Sequence, residues 1–228
     1  MKTILFILFT TFILNAQPYK MVEINYLAIL EPFEKEKLEK LNNSLFFEIN
    51  NYLLNNNYEL KCSNNGFSFT KTNNSLNVNE NQKMFYEIID ATYLIEDYFF
   101  DKQNDLLFTP FTNLNIIKNN DYNWILSEES KKIENYTCFK ATCEIKYLTR
   151  HGNYNTRNIT AWFTPEINFN FGPNGYMGLP GMILEIEFNK TKLVATKINF
   201  SKEEGVITFP KNKNITEEEF NKTALKTN

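Results

Sequence analysis

Apolar and polar residues alternate strictly near the start of the chain: Val22, Ile24 and Tyr26 fall between Glu23 and Asn25. A two-residue period sends successive side chains to opposite faces of a strand, so a first strand is predicted over 19–30, broken by Pro32. Tyr58, Leu60 and Cys62 repeat the pattern, and Asn64-Asn65-Gly66 then marks a hairpin turn. Beyond Met84, runs rich in Phe, Tyr and Ile predict strands at roughly 85–100, 104–109, 112–118, 122–127, 131–148, 156–164, 182–189 and 192–201. Asn104-Asp105, Pro110, Asn119-Asn120, Gly152 and Asn189-Lys190 punctuate them. In the 131–148 run the odd positions from Ile133 to Tyr147 form the apolar face, which points Cys143 inward and Cys138 outward.

Three stretches read differently. Phe33, Leu38 and Leu41 fit one face of a short charged helix or a loop, and Ser44–Asn56 fits helix and strand equally well. Asn73–Gln82 is a polar connection. Thr216-x-x-Glu219 is a capping box, which predicts a C-terminal helix from about Glu217. Many strands with short turns and one or two helices predict a mainly β fold: an antiparallel meander forming a curved sheet or open half-barrel.

One connection stands out. Of the seven glycines, Gly172, Gly175, Gly178 and Gly181 fall within sixteen residues, alternating with Pro173 and Pro180. The segment from Pro165 to Gly181 is long for a hairpin loop, which usually has about 2–5 residues. Glycine allows positive φ and proline fixes φ, so the alternation predicts a defined path. Phe169, Phe171, Tyr176, Met177 and Leu179 are large enough to fold the segment back onto the sheet. It reads either as a plug closing one end of the core or as the rigid lip of a binding groove. A phosphate cradle is disfavoured: the prolines remove N–H donors and a strand follows instead of a helix.

Composition narrows the setting. Lys2 followed by the apolar run Ile4–Leu14 and by Ala16 reads as a secretory signal, so residues 1–16 are expected to be cleaved and 17–228 to form a single β-rich domain. No lipid-anchor cysteine follows the run, and no later stretch is apolar enough to span a membrane, so a secreted or periplasmic location is expected. The formal net charge is -3, and no basic stripe appears, which argues against nucleic acid as a partner. Export favours a disulfide among the three cysteines. Cys138 and Cys143 would lie about 16 Å apart on one strand, too far to bridge, so Cys62–Cys143 is the expected pair and three free thiols the alternative.

Catalytic chemistry finds no constellation. His151 is the only histidine and sits in a turn, the paired carboxylates are charge runs, and neither a metal site nor a cofactor is indicated. Glu166, at the mouth of the glycine-rich segment, reads as an acceptor for loop N–H groups or as a ligand contact.

Gly178-Leu179-Pro180-Gly181, followed by Met182-Ile183, closely resembles the signature of the GLPGLI family of secreted proteins of uncharacterised function. Asn135–Thr142 is similar to the family's Tyr-x-Cys-x-Lys-Ala segment, with Cys138 at its cysteine, and Ala161–Ile167 to its Trp-Phe-Thr-Pro-Glu-Ile segment. The resemblance implies export and a β-rich architecture like the open half-barrels of periplasmic lipoprotein carriers; it implies no activity. Two functional readings follow. One is a non-enzymatic carrier of an apolar or peptide-like ligand, with Trp162, Glu166, Tyr176, Met177 and Leu179 at its site. The other is an accessory protein that docks on an envelope protein.

Overall fold

The computed structural model describes residues 19–30, 43–72, 80–93, 95–148 and 153–226. The expected signal segment, the Phe33–Leu41 stretch, most of the polar connection after Asn73 and His151 lie outside the described residues.

β1 (Met21–Leu30) buries Val22, Ile24, Tyr26, Ala28 and Leu30, the alternation read from the sequence. β2 (Asn57–Ser63) and β3 (Gly66–Thr72) form the hairpin around Asn64-Asn65. β4 (Tyr98–Asp101), β5 (Leu106–Phe111) and β6 (Leu114–Ile117) continue this meander. A second meander comprises β7 (Ile125–Ile133), β8 (Tyr136–Leu148), β9 (Tyr154–Thr164), β10 (Met182–Phe188) and β11 (Thr191–Ser201). β1 joins the two, antiparallel to β2 on one side and to β11 on the other. β12 (Lys213–Thr216) returns to pair parallel with β6. The result is one open 12-stranded sheet, ordered β12-β6-β5-β4-β3-β2-β1-β11-β10-β9-β8-β7, which does not close into a barrel. The mainly β expectation holds, with three helices among the described residues.

Two of these helices revise the reading of the sequence. Ser44–Asn56, left open above, is α1 (Asn43–Asn55): Ile49, Tyr52 and Leu53 share one helical face against the core, and the helix packs on β1. Residues 85–100 were expected as one strand. Instead α2 (Glu80–Tyr93) precedes β4, with Phe85, Tyr86 and Ile89 on the core side and Glu87 and Ile88 exposed. The spacing 85, 86, 89 is helical, and it outweighs the β preference of the individual aromatic and branched residues. Tyr52 of α1 stacks on Tyr86 of α2 with ring centres 4.1 Å apart. α3 (Glu217–Lys226) begins at the capping box: the Glu219 N–H donates to Thr216 Oγ1 (3.1 Å), and the Thr216 N–H donates to Glu219 Oε2 (2.9 Å).

Two further expectations change. The 131–148 run is not one strand; Glu134, at φ 51°, and Asn135 make the turn between β7 and β8. Cys138, expected outward, is fully buried, because the face it occupies is covered by Lys131, its partner across the ladder, and by the Trp162 ring beneath that lysine. A register shift between Ile183 and Glu185 brings Ile183 opposite Phe163 and Glu185 opposite Trp162. Ile183 therefore shares the face of Phe163, and Leu184 is bulged out of the pairing.

Candidate functional site

The glycine-rich connection between β9 and β10 folds into the concavity of the sheet. Phe171 lies 5.1 Å from the ring of Phe67 on β3 and 5.7 Å from that of Phe100 on β4, between centroids. Ile167, Tyr176, Met177 and Leu179 are buried, as are Gly172 and Pro173, while Pro165, Gly178 and Pro180 stay at the surface. Phe171 and Met177 bridge each other, and the Gly178 N–H donates to the Asn170 carbonyl (2.8 Å), which pinches the segment into a tight lobe. Its tip is a single 3-10 turn, Pro173–Gly175. Gly175 (φ 80°) is pressed against the Tyr98 ring, 2.5 Å from where a Cβ would stand. Gly181 (φ 149°) leaves only 2.1 Å between such a Cβ and the Thr164 carbonyl. Both positions require glycine.

The tip meets the 118–124 connection between β6 and β7. The Tyr122 hydroxyl donates to the Gly175 carbonyl (3.2 Å) and the Trp124 indole N–H to the Met177 carbonyl (2.8 Å). Here residues from opposite halves of the sheet converge, and a cleft remains. One lobe of about 280 Å³ is lined by Glu96 and Tyr98 before and within β4, by Tyr122, by Arg157 of β9, and by Asn174 and Tyr176 of the tip. A larger lobe, about 740 Å³, continues between β5, β6 and α3, and a third, about 380 Å³, runs along the other side of α3 past Tyr154. The larger volume falls within the range of about 300–1,000 Å³ common for ligand sites.

The electrostatics of the cleft are mixed. The Lys118 ammonium pairs with Glu217 of α3 at 2.7 Å, across the junction of the first two lobes. The Arg157 guanidinium lies over the Tyr147 ring, 4.5 Å from its centre, and its charge partly offsets the effect of burial on the Tyr176 hydroxyl. Burial, with Glu96 and the neighbouring tyrosines next in weight, pushes the Tyr98 hydroxyl well above its ordinary value. Burial likewise raises Tyr122 and Tyr176, so all three hydroxyls remain donors at neutral pH. Asn174, at φ 56° and nearly fully buried, accepts the Glu96 N–H through Oδ1 (3.1 Å). The glycine-rich segment thus positions Glu96, 78 residues earlier in the chain.

The residues expected at a site do not stay together. Tyr176 lines the cleft. Met177 and Leu179 are core. Trp162 lies on the opposite face of the sheet, where Lys131 covers its ring at 4.3 Å and bonds to both oxygens of the nearly buried Glu185 at 2.7 Å. Glu166 is exposed, and it accepts the Thr137 N–H of the neighbouring strand β8 (3.0 Å). Glu96, Tyr98, Tyr122 and Arg157 were not singled out by the sequence. Only Arg157 carried a signal, as one of two arginines in the chain.

Cys62 and Cys143, the expected disulfide pair, are free buried thiols, as is Cys138. Cys62 is on β2 and Cys143 on β8, with β1, β11, β10 and β9 between them in the sheet. Both side chains do point inward as read, but from opposite wings of a filled concavity. Among the described residues no three of His, Cys, Asp and Glu gather to hold a metal ion, and no helix is long and apolar enough to cross a membrane.

No curated protein matches the chain. Structures of PNGF-II in two crystal forms, C2 and P21, are similar to it at TM-score 0.50 and 13% identity, over 90% and 89% of this chain. The chain spans about a third of the length of PNGF-II, 32% in each case, and the likeness is one of fold alone. A family model described as "Protein of unknown function (Porph_ging)" matches residues 148–185, the stretch that holds β9, the glycine-rich connection and the start of β10.

Proposed function

We propose that this chain is an exported, non-enzymatic binding protein that holds a short peptide-like ligand in the cleft between the two wings of its sheet. One observation carries the reading: the concavity is filled by the chain's own Phe171, Tyr176, Met177 and Leu179, and the space left beside it is polar, aromatic and charged in both signs. An apolar cargo would need the concave surface that these side chains occupy, so the peptide-like half of the expectation is the one favoured. Amides need donors and acceptors set on rigid elements. Tyr98, Tyr122 and Asn174 supply them, and Arg157 and Lys146 supply cations for a carboxylate. The tyrosines are shifted away from the range in which they would act as bases, which favours binding over proton transfer. The apolar run after Lys2 and the resemblance of Gly178–Gly181 to the GLPGLI signature support export.

The test is direct. The full chain is expressed in a bacterium and recovered from the periplasm; its N-terminus should then begin at Gln17. A Trp162→Phe variant leaves Trp124 as the sole indole, 6.5 Å from the Tyr176 ring at the cleft edge. Its emission should change on titration with a pool of unblocked tri- to pentapeptides. Unchanged emission together with an unchanged melting temperature would sink the proposal.

A further inference from the structure

Building on that reading of the cleft, we infer that Glu96 is the seat of a cationic group on the ligand, an ammonium or guanidinium held by the carboxylate beside the Tyr98, Tyr122 and Tyr176 rings. Glu96 Oε2 is buried and has no hydrogen-bond partner among the described residues. A buried carboxylate oxygen left in this way is costly, and proteins leave few without a reason. The usual remedy stands close by and is not used: Lys118 lines the same two lobes, yet its ammonium goes to Glu217. The backbone of Glu96 is fixed by Asn174, so the side chain is held at the cleft by the glycine-rich tip.

Two further features select a cation. Aromatic rings attract a positive charge over their faces, and more strongly when the cation is desolvated. The charge also runs in one direction along the cleft. Around the larger lobe Glu87, Glu96, Asp97 and Glu217 face Lys71 and Lys118, four acids to two bases. Around the smaller lobe Lys118, Lys146 and Arg157 face Glu96 and Glu217, three bases to two acids. A ligand with a cation at one end and an anion at the other is therefore oriented, with its positive end toward Glu96 and its negative end toward Arg157.

Three probes separate the sources of the cation: trialanine amide, its N-acetylated form, and Nα-acetyl-lysine amide. Each is titrated by calorimetry into the full chain and into Glu96→Gln. If the ligand's α-amino group is the cation, trialanine amide binds at least tenfold more tightly than its acetylated form. If a lysine side chain supplies it, Nα-acetyl-lysine amide is the tighter ligand. In either case Glu96→Gln loses that tenfold preference, Glu96→Asp regains part of it, and the Gln variant melts at the same temperature or higher. Equal binding of charged and acetylated probes, or a preference that survives Glu96→Gln, overturns the assignment and leaves the cleft reading standing. A Gln variant that melts several degrees lower overturns it too, because Glu96 would then be structural. Binding of none of the probes, with no response to the unblocked peptide pool, overturns both.

Discussion

At the scale of single residues, the most constrained backbone lies where the glycine-rich segment rejoins the sheet. A methyl group at Gly181 would fall inside the Thr164 carbonyl, in a region of φ that L-residues rarely adopt. The β9–β10 ladder begins directly at the clash, with Met182 opposite Thr164, which leaves either strand little room to yield. Gly181→Ala is expected to cost more than about 3 kcal/mol, read from urea unfolding of the variant beside the parent. The thiols give a second residue-scale expectation. Burial holds Cys138 and Cys143 at about 11, above the ordinary thiol value. The unfolded chain releases these protons near pH 8.5, while the folded chain keeps them. Their contribution to stability is therefore complete below about pH 8.5 and is lost as pH rises through about 11. Urea midpoints should fall between pH 8 and pH 10.5, and a thiol reagent at pH 8 should label three cysteines in the unfolded chain and almost none in the folded one. Rapid labelling of the native protein would contradict this.

At the scale of elements, α3 shows how a few local bonds set a boundary. Its capping carboxylate, Glu219, is held below the usual glutamate range by its bonds to the Thr216 N–H and hydroxyl. A depressed carboxylate stabilises the fold above its unfolded value, about 4.3, and that contribution is lost as the pH falls through the lower folded value. The protection of amides in the first turn of α3, exchange being compared with the intrinsic rate at each pH, should thus fall on acidification, and Glu219→Ala should show the lower protection already at pH 7. This cap was legible because it is confined to four consecutive residues. So was the hairpin at Asn64-Asn65-Gly66. α2 was not, because Phe85, Tyr86, Ile88 and Ile89 all favour strands one by one, and only the spacing of the buried three gives the helix away. The β7–β8 turn was hidden for a related reason. Ile133 before Glu134 and Phe139, Ala141, Cys143, Ile145 and Tyr147 after it all fall at odd positions, and Glu134 adopts positive φ without the glycine that usually announces it. The cleft was least legible of all. Glu96, Tyr122, Arg157 and Asn174 come from four separate segments, and no local pattern records that a curled sheet brings them together.

At the scale of the whole molecule, the position of β1 governs assembly. Its neighbours are β2, about thirty residues on, and β11, whose register runs from Met21↔Ser201 to Leu30↔Thr191. A chain shortened to end at Lys190 keeps four strands of the second meander but leaves the buried Ile24, Tyr26 and Ala28 beside an open row of backbone donors and acceptors. Such an edge is prone to pair with other chains. The shortened chain is expected to be recovered as aggregate, with no cooperative thermal transition; a soluble product with a sharp transition would show that the two wings fold independently. The full chain, by contrast, cannot complete its central ladder until some 170 further residues have been made, a closure of long range that slows folding. A polypeptide that stays unfinished for so long remains threadable while it is being synthesised, a property that the export proposed above would call on before its first strand meets its late partner.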